Sequence, residues 1–430
     1  MTVDLLLRDA YVLERDAVVD VAVDDGRIVA IDDRLDEDAD REIEVGEAFV
    51  SPGLVDCHLH IDKAFAAWGE RRPTGNDGPF EFERIAEEEH NYYADATVEE
   101  IRDNAIRDVQ LAVEAGSTYL RSHVTVDADV RGTGNMEASV AARERTDALA
   151  DIQLVPAPRD EFSEVEREYL HEAVEMGTDD DSTPHPVLVG GSDPASKQAN
   201  VEGTIEAWFE LAREHDLDMD LHIQDGGNVG VYTLERLIDH MDANDYAGRV
   251  TASHSYGLAH IPDWQVEQFL DAAGEVDLKF VTCYQSCRPT MPVRRMLETD
   301  RVTLGHGTDN DRDFVFAHGN ADSVEAMLIL LNKLHGDRTF VEEYRWFESN
   351  EGLETLWDMI TYQSARVLGI EDEYGIEVGN PANLVVFDQP SPQWTIVDGA
   401  TRRYVIKDGT VVVENDELLP EFRVVEPPSW

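Results

Sequence analysis

Lysine is nearly missing from this 430-residue chain, with only five, at positions 63, 197, 279, 333 and 407. Arginine brings the basic total to 35 against 91 acidic residues, a net charge of −56. Such a surface repels polyanions, which argues against nucleic acid and anionic membranes as partners. The acid is spread along the chain rather than gathered in a tail. It reads as a halophilic coat, in which high salt screens the self-repulsion. Cysteine is scarce as well: Cys57, Cys283 and Cys287 are too few for a disulfide framework and form no CxxC pair, so a reduced, cytoplasmic protein is expected. Long apolar runs are absent, and the opening MTVDLLLRDAYVLERD has no apolar signal core, so the chain reads as neither secreted nor membrane-spanning. What it does have is a hydrophobic content of 42%, enough for one large barrel or two to three domains.

Both ends speak of β-structure. Residues 4–7, 11–13, 19–23 and 27–31 read as short strands, with Asp24-Asp25-Gly26 as a hairpin turn. The same grammar returns at 382–388 and 404–413. One small β-sandwich domain built from residues 1–50 plus 376–430 is the expectation. The middle alternates short apolar runs, at 53–58, 117–126, 152–156, 186–190, 219–223, 250–253, 278–282 and 302–305, with amphipathic stretches such as 97–115, 204–215 and 232–243. Eight strands with intervening helices predict an α/β fold, a (β/α)8 TIM barrel over residues 51–375. A doubly wound sheet fits less well, because no glycine-rich phosphate loop follows any strand.

Chemistry in such a barrel sits at the C-terminal strand ends. His58 and His60 stand two apart at the end of the first strand, so both imidazoles point to one side and could share a metal ion. The other strand ends carry His123, Asp193, His222 with Asp225, His254 and Asp309. His123 and His306 read as loop partners rather than ligands, Cys283 and Cys287 as packing, and Gln285 as a substrate contact.

The order of DCHLHIDK (56–63), LHIQD (221–225), TASHSYGLAH (251–260) and LGHGTDN (304–310), with EVGNPANLVVFD (377–388) returning to the β domain, resembles the amidohydrolase superfamily. It looks most like the cytosine deaminase branch and its relatives that remove amines from triazines. The resemblance implies one divalent metal ion, Zn or Fe, held by His58, His60, His222 and Asp309. It makes His254 and Asp309 the residues that activate water, and Asp225 the proton carrier, where the family has a glutamate. No lysine stands at the fourth strand end to bridge two metals, which favours one. Lys63, Arg159 and Asn310 are the expected substrate contacts, with Arg159 standing where cytosine deaminases carry a glutamine. The implied activity is hydrolysis of a C–N bond in a small cyclic amidine, with deamination of cytosine or a related ring leading. Hydrolysis of a cyclic amide or substituted aminotriazine comes second, and an inactive scaffold last. The expected partner is a small-molecule substrate, and a homo-oligomer is left open.

Overall fold

The computed structural model describes residues 2–67, 82–159, 163–178, 183–197, 200–283, 291–299, 301–336, 346–347 and 349–427. Five strands come first: β1 (Thr2–Val12), β2 (Ala17–Asp24), β3 (Arg27–Asp32), β4 (Asp38–Glu44) and β5 (Phe49–Pro52). The middle contributes β6 (Leu54–Leu59), β7 (Ser117–Val126), β8 (Asp151–Pro158), β9 (Val189–Ser192), β10 (Met219–His222), β11 (Val250–Ser253), β12 (Lys279–Cys283) and β13 (Leu304–Gly307). The chain ends in β14 (Leu384–Phe387), β15 (Arg402–Lys407), β16 (Thr410–Glu414) and β17 (Glu417–Leu418).

The two ends join in a single nine-stranded sheet, ordered β17-β16-β15-β14-β5-β1-β2-β3, with β4 also on β1. Its central seam is the antiparallel pairing of β14 with β5, Val385 opposite Ser51. Asp25 and Gly26 turn β2 into β3 with φ of 49° and 74°, the left-handed pair that a two-residue hairpin needs. The runs expected as separate strands at 4–7 and 11–13 are one strand. A register shift between Leu7 and Ala10 bends it, and Asp9 sits at the bend with φ 54°. A bulge of this kind interrupts the alternation from which strand limits are read.

In the middle, β6, β7 and β8 form one parallel sheet and β9 to β13 another, each in chain order. Isolated parallel bridges link them, Leu154 to Val187 at one side and Leu59 to Asp309 at the other. The expected strand ranges at 117–126 and 250–253 match β7 and β11, and the other six differ by one to three residues at their ends. Helices between the strands bury one face. In Val98–Glu114 the buried positions include Ile101, Ala105, Ile106, Val109, Ala112 and Val113, spaced by three and four, and the Thr97 side chain caps the helix by accepting from Glu100 N–H. No helix among the described residues is long and apolar enough to cross a membrane.

Candidate metal and proton-transfer site

Three strand ends and one loop bring the expected donors together. His58 is the fifth residue of β6 and fully buried, while His60 follows the strand. Their rings lie 5.3 Å apart between centroids. Asp309, two residues past β13, is pulled onto β6 because its backbone N–H donates to His58 O at 2.7 Å. Gly307 makes that approach feasible, since a Cβ there would stand 2.4 Å from His58 Cβ. Asp56 ties the same strands from below. It accepts from the backbone N–H of His58 and Thr308, both at 3.1 Å, and from Thr308 Oγ1 at 2.6 Å. Burial pushes Asp56 up to about 7, with the charge of Asp309 adding and the bonds from Thr308 and His58 opposing.

The four expected ligands meet. Asp309 Oδ1 is 3.4 Å from His60 Nε2 and 3.7 Å from His58 Nε2. His222 Nε2, at the end of β10, is 3.4 Å from His60 Nε2. His58 Nε2 is buried with no hydrogen-bond partner among the described residues. Burial lowers His60 to about 3, aided by Lys63, and holds His58 and His222 well below the usual imidazole value. Burial alone would raise Asp309, yet the hydrogen bond with His60 and the charges around it bring it to about 2. Neutral imidazoles beside an ionised carboxylate form the donor set that a divalent ion takes.

His58 belongs to two further groups whose ligand atoms lie within 4.8 Å of one another, one with His123 and His222, the other with His254 and Cys283. The His123 ring stands 4.1 Å from that of His58 and 4.3 Å from that of His222. His123 is expected from the sequence as a loop partner at a strand end and Cys283 as packing; their closeness to His58 arises only across strands. His254 follows β11 with φ 71°, and Asp309 has φ 69°. Both site residues thus hold left-handed backbone, which is uncommon away from glycine and clusters at working sites.

Asp225 lies three residues past His222 and is 9% exposed. Its Oδ2 is buried without a hydrogen-bond partner among the described residues. Asp193 fixes the backbone beneath it, with Oδ1 accepting the N–H groups of Gln224 at 2.6 Å and Asp225 at 3.1 Å. The expected substrate contacts are differently placed. Lys63 Nζ lies 3.3 Å from Glu89 and 3.8 Å from Asp313, which raises its pKa against the desolvation that would lower it. Arg159 Nη1 donates to Asp127 Oδ2 at 3.0 Å and stands 2.6 Å from His90 Nδ1. Both cations are therefore engaged by the protein's own groups. Asn310 is buried beside Asp309. His306 is buried within β13, and burial lowers it to about 3. Gln285 and Cys287 lie outside the described residues.

Comparison with known proteins bears on this arrangement. The amidohydrolase family profile matches residues 129–413. N-isopropylammelide isopropyl amidohydrolase of Pseudomonas sp. (strain ADP) is 40% identical over 418 residues, spanning 97% of this chain and 98% of the relative. The crystal structure of N-isopropylammelide isopropylaminohydrolase from Burkholderia multivorans ATCC 17616 superposes with a TM-score of 0.84 at 24% identity, over 97% of this chain and all of that one. The structure of 5-methylcytosine deaminase from Klebsiella pneumoniae gives 0.81 at 20% identity, over 99% of this chain and 100% of that one, and likewise shares the fold. The chain belongs to the amidohydrolase family, and it is an enzyme that hydrolyses C–N bonds.

Proposed function

We propose that this enzyme uses one divalent ion, zinc or iron, to hydrolyse the exocyclic C–N bond of a small nitrogen heterocycle, with an N-substituted aminotriazine foremost. The meeting of His58, His60, His222 and Asp309 carries the reading. The relative of 40% identity favours the triazine class over cytosine. Cytosine has the same bond, an amine on an amidine carbon, and belongs in the same test.

Those four residues would hold a divalent ion, which would supply Lewis-acid activation of water. Asp309, ionised at working pH, accepts a proton from the attacking water, and His254 orients that water. Of the two protons that water supplies, one ends on the ring nitrogen and the other on the departing amine; Asp225 delivers them in turn through Oδ2, each time taking a proton up as base before giving it as acid. The water oxygen forms the new ring C–O bond as the C–N bond breaks. His58, His60 and His222, kept neutral by burial, leave their lone pairs for coordination.

The same reading takes the two parallel sheets as one closed (β/α)8 barrel over 51–375, and the nine-stranded sheet as the core of a composite domain of 1–50 plus 376–430. It also takes the acidic surface as an adaptation to salt in a cytoplasmic enzyme. The test is amine release from N-isopropylammelide, ammelide, cytosine, isocytosine and creatinine with zinc- or iron-loaded protein. Alkylamine from the first or ammonia from another is expected. Turnover of none by metal-replete protein would overturn the proposal.

A further inference from the structure

Behind His58 runs a buried chain of hydrogen bonds that joins five strands. His58 Nδ1 lies 3.0 Å from Ser253 Oγ on β11. Ser253 Oγ donates to Asp220 Oδ1 on β10 at 2.8 Å. Asp220 Oδ2 accepts from Arg121 Nη1 on β7 at 3.0 Å, and Arg121 Nε donates to Gln153 Oε1 on β8 at 2.8 Å. Arg121 also donates to Thr251 Oγ1 and to Val367 O. Asp220 and Ser253 are fully buried, and Arg121 and Gln153 are 2% exposed.

The direction of each bond follows from what each group can do. Asp220 faces a guanidinium and is an acceptor on both oxygens. The hydroxyl proton of Ser253 is therefore committed to Asp220, and the hydroxyl oxygen can only accept from His58. That places a proton on His58 Nδ1 and the lone pair on Nε2, the nitrogen facing Asp309. We propose that Ser253 and Asp220 are positioning residues that hold His58 in this tautomer and aim Nε2 at the donor centre. The inference rests on the metal reading above. An arginine–aspartate pair serving the core alone would explain Asp220 Oδ2. It would not call for a hydroxyl between Oδ1 and a histidine. Asp220 Oδ1 is also 3.4 Å from His123 Nε2. Oriented ligands of this kind typically owe 10–100-fold in metal affinity to the partner behind them.

Ser253→Ala removes the hydroxyl and leaves the Arg121–Asp220 pair intact. Zinc affinity, read by competition with a chromophoric chelator, should fall about 10–100-fold. The metal-free thermal midpoint should stay close to the parent's. Ring nitrogen spectra of the metal-free parent, labelled with 15N-histidine, should show His58 protonated at Nδ1, a reading that needs no variant to fold. Equal zinc affinity in the parent and Ser253→Ala, or a His58 proton on Nε2, would overturn the relay alone. A parent that takes up neither zinc nor iron would remove the metal reading itself, and the relay with it, whereas the tautomer spectrum would be unchanged.

Discussion

In the terminal sheet Arg8 Nη1 meets Asp20 Oδ2 at 2.6 Å, and between the parallel strands Arg121 Nη1 meets Asp220 Oδ2 at 3.0 Å. Both aspartates are fully buried. What differs is where the remaining oxygen capacity goes. Asp20 accepts the backbone N–H groups of Asp9 at 3.1 Å and Leu35 at 3.0 Å, while Arg8 donates to Leu35 O and to Glu42. These bonds tie the bend in β1 to the segment between β3 and β4 and to β4 itself. Asp220 instead gives an oxygen to Ser253, and through it to His58. The same ion pair is scaffolding where it closes on local backbone. Where it hands an acceptor to a ligand, it becomes part of a site.

The comparison predicts opposite kinds of damage. Asp225→Asn should lower turnover by roughly 10²–10⁴-fold, because the proton carrier is lost, and leave metal content and thermal midpoint near the parent's. Arg8→Ala should do the reverse. It leaves Asp20 with only Arg34 Nη1 as a cation, at 3.9 Å, and should cost up to about 3–5 kcal/mol of stability, measured by denaturant unfolding, with kcat/KM of the folded enzyme unchanged. If Asp225→Asn instead unfolds the protein, or Arg8→Ala slows chemistry, the division between site and scaffold fails. The charged surface contributes less per residue but over many residues. The thermal midpoint should rise between 0.1 M and 1 M KCl, as the Debye length shrinks from about 10 Å to about 3 Å, and a flat profile would remove the halophilic reading.

The smallest effect concerns Asp358, chosen away from both pairs. Burial pushes its carboxyl up to about 6, with Glu14 adding and Arg366 opposing. A folded-state value above the unfolded one means a contribution fully present below about pH 4 and lost as pH rises through 6. Asp358→Asn cannot ionise. Its unfolding free energy should match the parent's near pH 4 and exceed it above pH 7, by roughly 1–3 kcal/mol.

How much of this was legible beforehand depended on distance along the chain. His58, His60, His222 and Asp309 stand in short motifs at strand ends, and a strand's period of two already says that the first pair faces one way. β7 and β11 were readable because apolar runs bounded by polar residues need nothing from elsewhere. Asp56, Asp220 and Ser253 were not. Each is an ordinary strand residue until a partner 33 to 252 positions away arrives beside it. Arg121 is a charge inside β7, and only the fold supplies Asp220 and Gln153 to satisfy it. Lys63 and Arg159, expected as substrate contacts, also have partners that only the fold brings to them. Their charge suggested substrate, and the carboxylates that neutralise them come from Glu89, Asp313 and Asp127.

The central claim is that a metal held by His58, His60, His222 and Asp309 drives C–N hydrolysis. The most direct measurement strips the protein with a chelator, confirms by circular dichroism that it stays folded, and titrates zinc or iron back while following amine release from the best ring substrate of the panel. The account predicts loss of activity on stripping and full recovery at about one equivalent per chain, with His222→Ala failing to recover. Undiminished turnover by the stripped protein, or by His222→Ala, would contradict it.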